Sequence, residues 1–178
     1  MEAKPLKPQD LVVLLKLLLA EGSESPPITQ LSVELGLSVS EVHAALRRSV
    51  AAGLAIKDPK RGFRPRRAAL LEFLVHGVRY AYPASPGTLT RGVPTAGSAE
   101  PLAPQLAEGS DPPYVWASPE GSVRGLEIRP LYPSVPRAAM LDPRLHELLA
   151  LVDALRIGRA RERGLARRIL EERIEEGR

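Results

Sequence analysis

No cysteine occurs among the 178 residues, which excludes disulfides, thiol catalysis, iron–sulfur clusters and cysteine-based zinc sites together. Histidine is nearly as scarce. His43, His76 and His146 lie far apart and leave little for any other transition-metal site. Aromatic residues make up 4% of the chain against 44% hydrophobic, so the core has to be built mainly from Leu, Val and Ala. Asparagine is absent, a bias against thermolabile residues that bears on stability rather than activity. Long hydrophobic runs are missing too. The most apolar stretch, residues 11–20, carries Lys16 inside it and is too short for a bilayer. Glu21 and Glu24 stand where a signal peptide would place small residues, so a buried helix of a cytoplasmic protein is expected there.

What is present is unevenly distributed. The formal net charge is +4, yet residues 1–66 carry +3, residues 81–155 carry −3 and the tail 156–178 carries +3. Eleven of the 18 prolines fall between Pro83 and Pro136. That window cannot hold a long helix and is expected to be loops with short strands near 78–82, 114–116 and 123–131. The flanks are helical by period. The fold class implied is α+β, mainly α, with a first unit over 1–80 and a second over 81–178 for dimerisation, a partner or an effector.

Leu11, Leu14, Leu15, Leu18 and Leu19 repeat at helical spacing, with Pro8 and Asp10 suited to a first turn and Gly22 to the stop. Thr29 suits the cap of a short second helix, 30–35, ended by Gly36. Ser38, with Glu41 three residues on, is the capping-box signature of a third helix over 38–53, buried through Val42, Ala45, Leu46 and Val50. Its solvent face offers Val39, Ser40, His43, Ala44, Arg47 and Arg48. Two short extended runs follow, turning at residues 58–62. Lys57, Lys60, Arg61, Arg64, Arg66 and Arg67 set six cations against Asp58 alone over residues 57–67. Such a run is either a solvated turn or a contact for nucleic-acid phosphate.

The run ITQLSVELGLSVSEVHAALRRSVAAGLAIK resembles the DNA-binding core of MarR-like and related bacterial winged helix-turn-helix regulators. Leu31, Leu35, Gly36, Leu37, Ser38, Ser40, Val42, Leu46, Gly53 and Leu54 fall on the pattern LAxxLGLSxSxVxxALxxLxxxGLI, and the likeness covers residues 8–66. It implies a recognition helix in the major groove, with Ser40, His43, Ala44 and Arg47 reading bases. Ser38 would donate to phosphate as well as cap, and Thr29 and Gln30 would lie near the backbone. Arg48 and the wing residues Lys57, Lys60, Arg61 and Arg64 complete the implied DNA contacts.

Elsewhere the motifs are negative. Gly92 and Gly97 have phosphate-loop spacing, but Ser98 and Ala99 stand where Lys and Ser/Thr are required. His146-Glu147 opens like a zincin helix, yet Ala150 replaces the second His. No catalytic residues, metal ligands or cofactor are expected, and His76 reads as structural. Five of the seven aromatics (Tyr80, Tyr82, Tyr114, Trp116, Tyr132) cluster in the middle, forming either a small core or a pocket for a partner or ligand. Asp142 and Pro143 start a helix bearing Leu145, Leu148, Leu149, Val152 and Leu155, and a second amphipathic helix spans 159–176. The helix at 11–19 is apolar nearly all round and needs cover on two sides. The C-terminal helices, a second subunit in a homodimer, or both would supply it. The expected function is a sequence-specific regulator, most simply a repressor, bound to double-stranded DNA. Two alternatives stand beside it: an antitoxin masking a toxin through residues 81–178, and a protein-interaction module without DNA affinity.

Overall fold

The computed structural model describes residues 5–20, 25–106 and 111–175; Gly22, the expected stop of the first helix, lies outside them. The fold is α+β and mainly helical. Helix α1 (Pro8–Leu19) leads to α2 (Ile28–Leu35) and α3 (Val39–Ala51), followed by the hairpin β1 (Ala55–Asp58) and β2 (Gly62–Pro65). Helices α4 (Arg67–His76) and α5 (Val78–Ala81) come next. The proline-rich middle holds β3 (Leu89–Pro94), β4 (Tyr114–Ala117) and β5 (Val123–Glu127) with two short 3-10 turns. Helices α6 (Val135–Leu141), α7 (Pro143–Ile157) and α8 (Ala160–Glu175) close the described chain.

Several local expectations meet their physical cause. Ser38 caps α3, its Oγ accepting from the Glu41 amide at 3.1 Å. Asp142 caps α7 through the amides of Arg144 and Leu145, and Pro143 takes the first turn. Gly36, at φ 64°, ends α2 in the left-handed region that a Cβ disfavours.

Other expectations are corrected. Helix α2 starts at Ile28 with Pro27 at its cap position, so Thr29 is inside the helix and caps nothing. Residues 78–82 are helical through Ala81 rather than extended, with Val78 buried and the short helix packed on α7. Val50 is 37% exposed and leaves the buried face of α3 to Ser49. Strand β3 and helix α6 have no expectation to match them. Strand β3 pairs antiparallel with both β4 and β5, which pair with each other in parallel, so three short strands close on themselves. The closure needs glycine. A Cβ on Gly92 would lie 2.1 Å from the Trp116 carbonyl oxygen, and one on Gly125 would lie 2.2 Å from that of Pro113.

One continuous hydrophobic core runs from Leu11 to Ile174, dominated by Leu, Val and Ala, with Trp116 as its large aromatic. Leu11, Val12, Val13, Leu14, Leu15 and Leu17 are all buried. The two-sided burial expected of α1 is met within the chain, by α3 and β2 on one side and α7 on another. The amphipathic tail α8 packs on α7 and α4 instead of α1. The apolar surface that argued for a homodimer through α1 is thus already covered. Among the described residues no helix is long and apolar enough to cross a membrane.

Candidate nucleic-acid interface

Helix α3 packs on α1, α2 and β1, and its outward side carries the residues that the sequence singled out. Ser40, His43 and Arg47 are exposed at consecutive turns, with Ala44 half-buried between them. Ser38 is exposed beside Ser40, the two hydroxyl oxygens 3.0 Å apart. Thr29 and Gln30 are exposed at the start of α2, where the Gln30 amide donates to Glu34 at 2.8 Å.

The hairpin lies next along the chain. Its four-residue register runs from Ala55 opposite Pro65 to Asp58 opposite Gly62. Asp58 holds the turn, one carboxylate oxygen accepting from the Lys60 and Arg61 amides at 2.8 Å each. Those two amides, Arg61 first, hold the carboxyl below the usual aspartate range. The lone acid of the turn is therefore engaged with backbone while Lys57, Lys60 and Arg61 are exposed and Arg64 is half-buried. Lys57 reaches over the Phe63 ring, 5.7 Å from its centre. Arg67, counted in the same basic run, instead donates to the Ile174 carbonyl at 2.5 Å and ties α4 to the end of α8.

Arg48 is the main correction. It does not share the exposed face with Arg47; it is 6% exposed and forms a two-pronged pair with Asp10, which is fully buried. Nε reaches one Asp10 oxygen at 2.8 Å and Nη2 the other at 2.6 Å. The same Nη2 donates to Glu41 at 2.5 Å, and the Gln9 amide donates to that Glu41 oxygen at 3.0 Å. Glu41 therefore completes no capping box. The hydrogen bond from Arg48 holds its carboxyl below the usual glutamate range, ahead of the opposing effect of burial. The acid beside the exposed face of α3 is thus tied to a buried arginine that it shares with Asp10.

A second set of charges fixes α2 against the C-terminal helices. Lys16 donates to Asp142 at 2.6 Å and pairs with Glu34 at 2.8 Å. Burial would lower the Lys16 ammonium, but its bonds to Asp142 and Glu34 raise it overall. The Ser134 hydroxyl donates to the Leu35 carbonyl at 2.6 Å, seating the loop before α6 against the turn between α2 and α3. No local pattern points to Asp10, Gln9 or Lys16 as partners, because their spacing to Arg48, Glu41 and Asp142 follows no helical or strand period.

His146 is structural. His146 Nε2 lies 2.7 Å from the Pro94 carbonyl oxygen, and its ring tilts against Trp116 at 5.4 Å. The indole Nε1 donates to buried Asp153 at 2.6 Å, which also accepts from Thr95 and pairs with Arg156. Burial pushes the Asp153 carboxyl up, against the charge of Arg156 and these donors. His76 ends α4 and is exposed. Among the described residues no three His, Asp or Glu side chains gather as a metal site. Comparison with protein-family models, with curated proteins and with solved structures found no match.

Proposed function

We propose that the chain is a DNA-binding regulator of the winged helix-turn-helix kind, with α3 in the major groove and the β1–β2 hairpin as its wing, acting on double-stranded DNA in the cytoplasm. The observation that carries this reading is the sorting of charge around α3. Arg47 faces solvent with Ser40 and His43, while Arg48 is withdrawn to pair with Asp10 and Glu41. The exposed side chains of α3 and the hairpin include polar and cationic groups suited to base edges and phosphates, with Val39, Val50 and Ile56 exposed among them. Duplex affinity measured by fluorescence anisotropy on a genomic fragment pool is the test. It should fall steeply between about 50 and 200 mM salt as condensed cations are released. A flat salt dependence or no binding rejects the reading.

A second reading, a protein-docking module of the antitoxin type, is favoured by exposed apolar residues on α2 and α6, two helices in contact. Val33 on α2 is 78% exposed and Leu141 on α6 is 66% exposed. A protein partner would cover these rather than the basic hairpin. Pull-down with Val33→Ser/Leu141→Ser as the control separates the two.

A further inference from the structure

A cleft of about 620 Å³ opens where the start of α1, the end of α5 and the loop after β5 meet. Its walls contain five prolines: Pro8, Pro83, Pro130, Pro133 and Pro136. Proline supplies ring carbons and no backbone N–H, so polar recognition in this cleft falls largely to side chains. Tyr82 and Tyr132 add half-buried aromatic faces. Burial foremost, with the charge of Asp10 behind it, pushes the Tyr82 phenol up to about 12.

The charged residues of the cleft differ in what they have left to offer. Arg156 is spent: it donates to the Tyr82 and Arg129 carbonyls and to Asp153. Gln9 is held by Glu41. Glu127 and Arg129 both line the cleft, and among the described residues neither has an ion-pair partner. Their backbones are fixed, Glu127 by the Gly87 and Thr88 strand contacts and Arg129 by Arg156. The cleft thus presents one acid and one base on a pinned segment, over an apolar wall and with no net charge of its own.

We infer that this cleft binds a small zwitterion with an apolar body, the chemistry of a free amino acid, its ammonium on Glu127, its carboxylate on Arg129 and its side chain against Tyr82 and Tyr132. The site also has a route to α3. Gln9 forms one wall and its amide holds Glu41, which shares Arg48 with Asp10, so a ligand that moves Gln9 disturbs the contacts that seat α3. That coupling rests on the reading of α3 as a DNA-binding helix; the ligand site does not.

L-phenylalanine, phenylacetate and phenethylamine, each titrated into the full chain by calorimetry and thermal melting, test the site. Phenylalanine should bind and raise the melting temperature, since a ligand held only by the folded state stabilises it. Each single-charge analogue should bind at least about tenfold more weakly, as should phenylalanine to Glu127→Gln and to Arg129→Gln. Both positions are partly exposed, and unchanged melting of the unliganded variants shows that they fold. Equal binding of phenylacetate, unchanged binding to either variant, or no binding of phenylalanine overturns the proposal. Duplex affinity with and without saturating phenylalanine tests the coupling separately. Phenylalanine bound with DNA affinity unchanged removes the coupling and keeps the site. DNA binding without phenylalanine binding removes the site and keeps the reading of α3.

Discussion

Neighbouring arginines on α3 should behave in opposite ways. Arg48→Met keeps the length of the side chain and removes the guanidinium, leaving the fully buried Asp10 with only the Lys7 amide at 2.9 Å. Breaking a buried ion pair from one side costs about 3–5 kcal/mol, because the remaining charge is neither solvated nor paired. In a domain of this size each kcal/mol shifts the melting temperature by about 2–4 °C, so a fall of about 6–20 °C is expected. Circular dichroism melts measure it, with Arg47→Ala as the matched control. Arg47 is exposed, and its loss should change stability by no more than about 0.5 kcal/mol. A double variant, Asp10→Leu/Arg48→Met, should recover part of the loss, because it removes the orphaned carboxylate together with its partner. If Arg48→Met melts with the native protein, the Asp10–Arg48 pair does not hold α3 to α1 and the reasoning fails.

The same variants separate stability from affinity, and pH adds a third axis. Arg47→Ala should weaken binding to a preferred duplex by about 1–3 kcal/mol and relax its sequence preference, read by competition anisotropy. Lys60→Ala/Arg61→Ala should weaken all duplexes alike and flatten the slope of log affinity against log salt by about two. Glu34, Glu41 and Asp142 are all held below their usual ranges: Glu34 by its bond from Lys16, Glu41 by that from Arg48, and Asp142 by Lys16 and its capping amides despite burial. Each contributes stability that is fully present above its unfolded-state value, about pH 4, and is lost as pH falls through its lower folded value. Urea midpoints should therefore drop as pH falls from about 5 towards 3, and Lys16→Met should lessen that drop. Trp116→Phe should cost about 1–3 kcal/mol in urea titrations, since it leaves the buried Asp153 without one of its donors.

Helix positions were legible wherever one local signal sufficed. The leucine period of 11–19, the serine cap at 38 and the Asp142-Pro143 start depend on residues a few positions apart, and the chain folds there as those residues dictate. The exposed candidates Ser40, His43 and Arg47 follow from the same period. Arg48 does not. A wheel sets it about 100° from Arg47, at the edge of the buried face, and the approach of α1, bringing Asp10 from 38 residues away, turns it inward. Residues 78–82 carry Val and Tyr, which favour strands, yet the stretch is helical through Ala81 and packs on α7.

The amino-acid sequence by itself determined composition, charge layout, the main helices and the capped start of α3, because these are short-range properties of period, side-chain hydrogen bonding and backbone sterics. Tertiary structure alone decided what covers α1, which of two adjacent arginines faces solvent, and how Glu127 and Arg129 come to share a cleft with Gln9. It also decided that three short strands close around Gly92 and Gly125. Those outcomes join residues tens of positions apart. Burial and charge pairing select them only once the chain has brought the partners together, and no local pattern records that encounter.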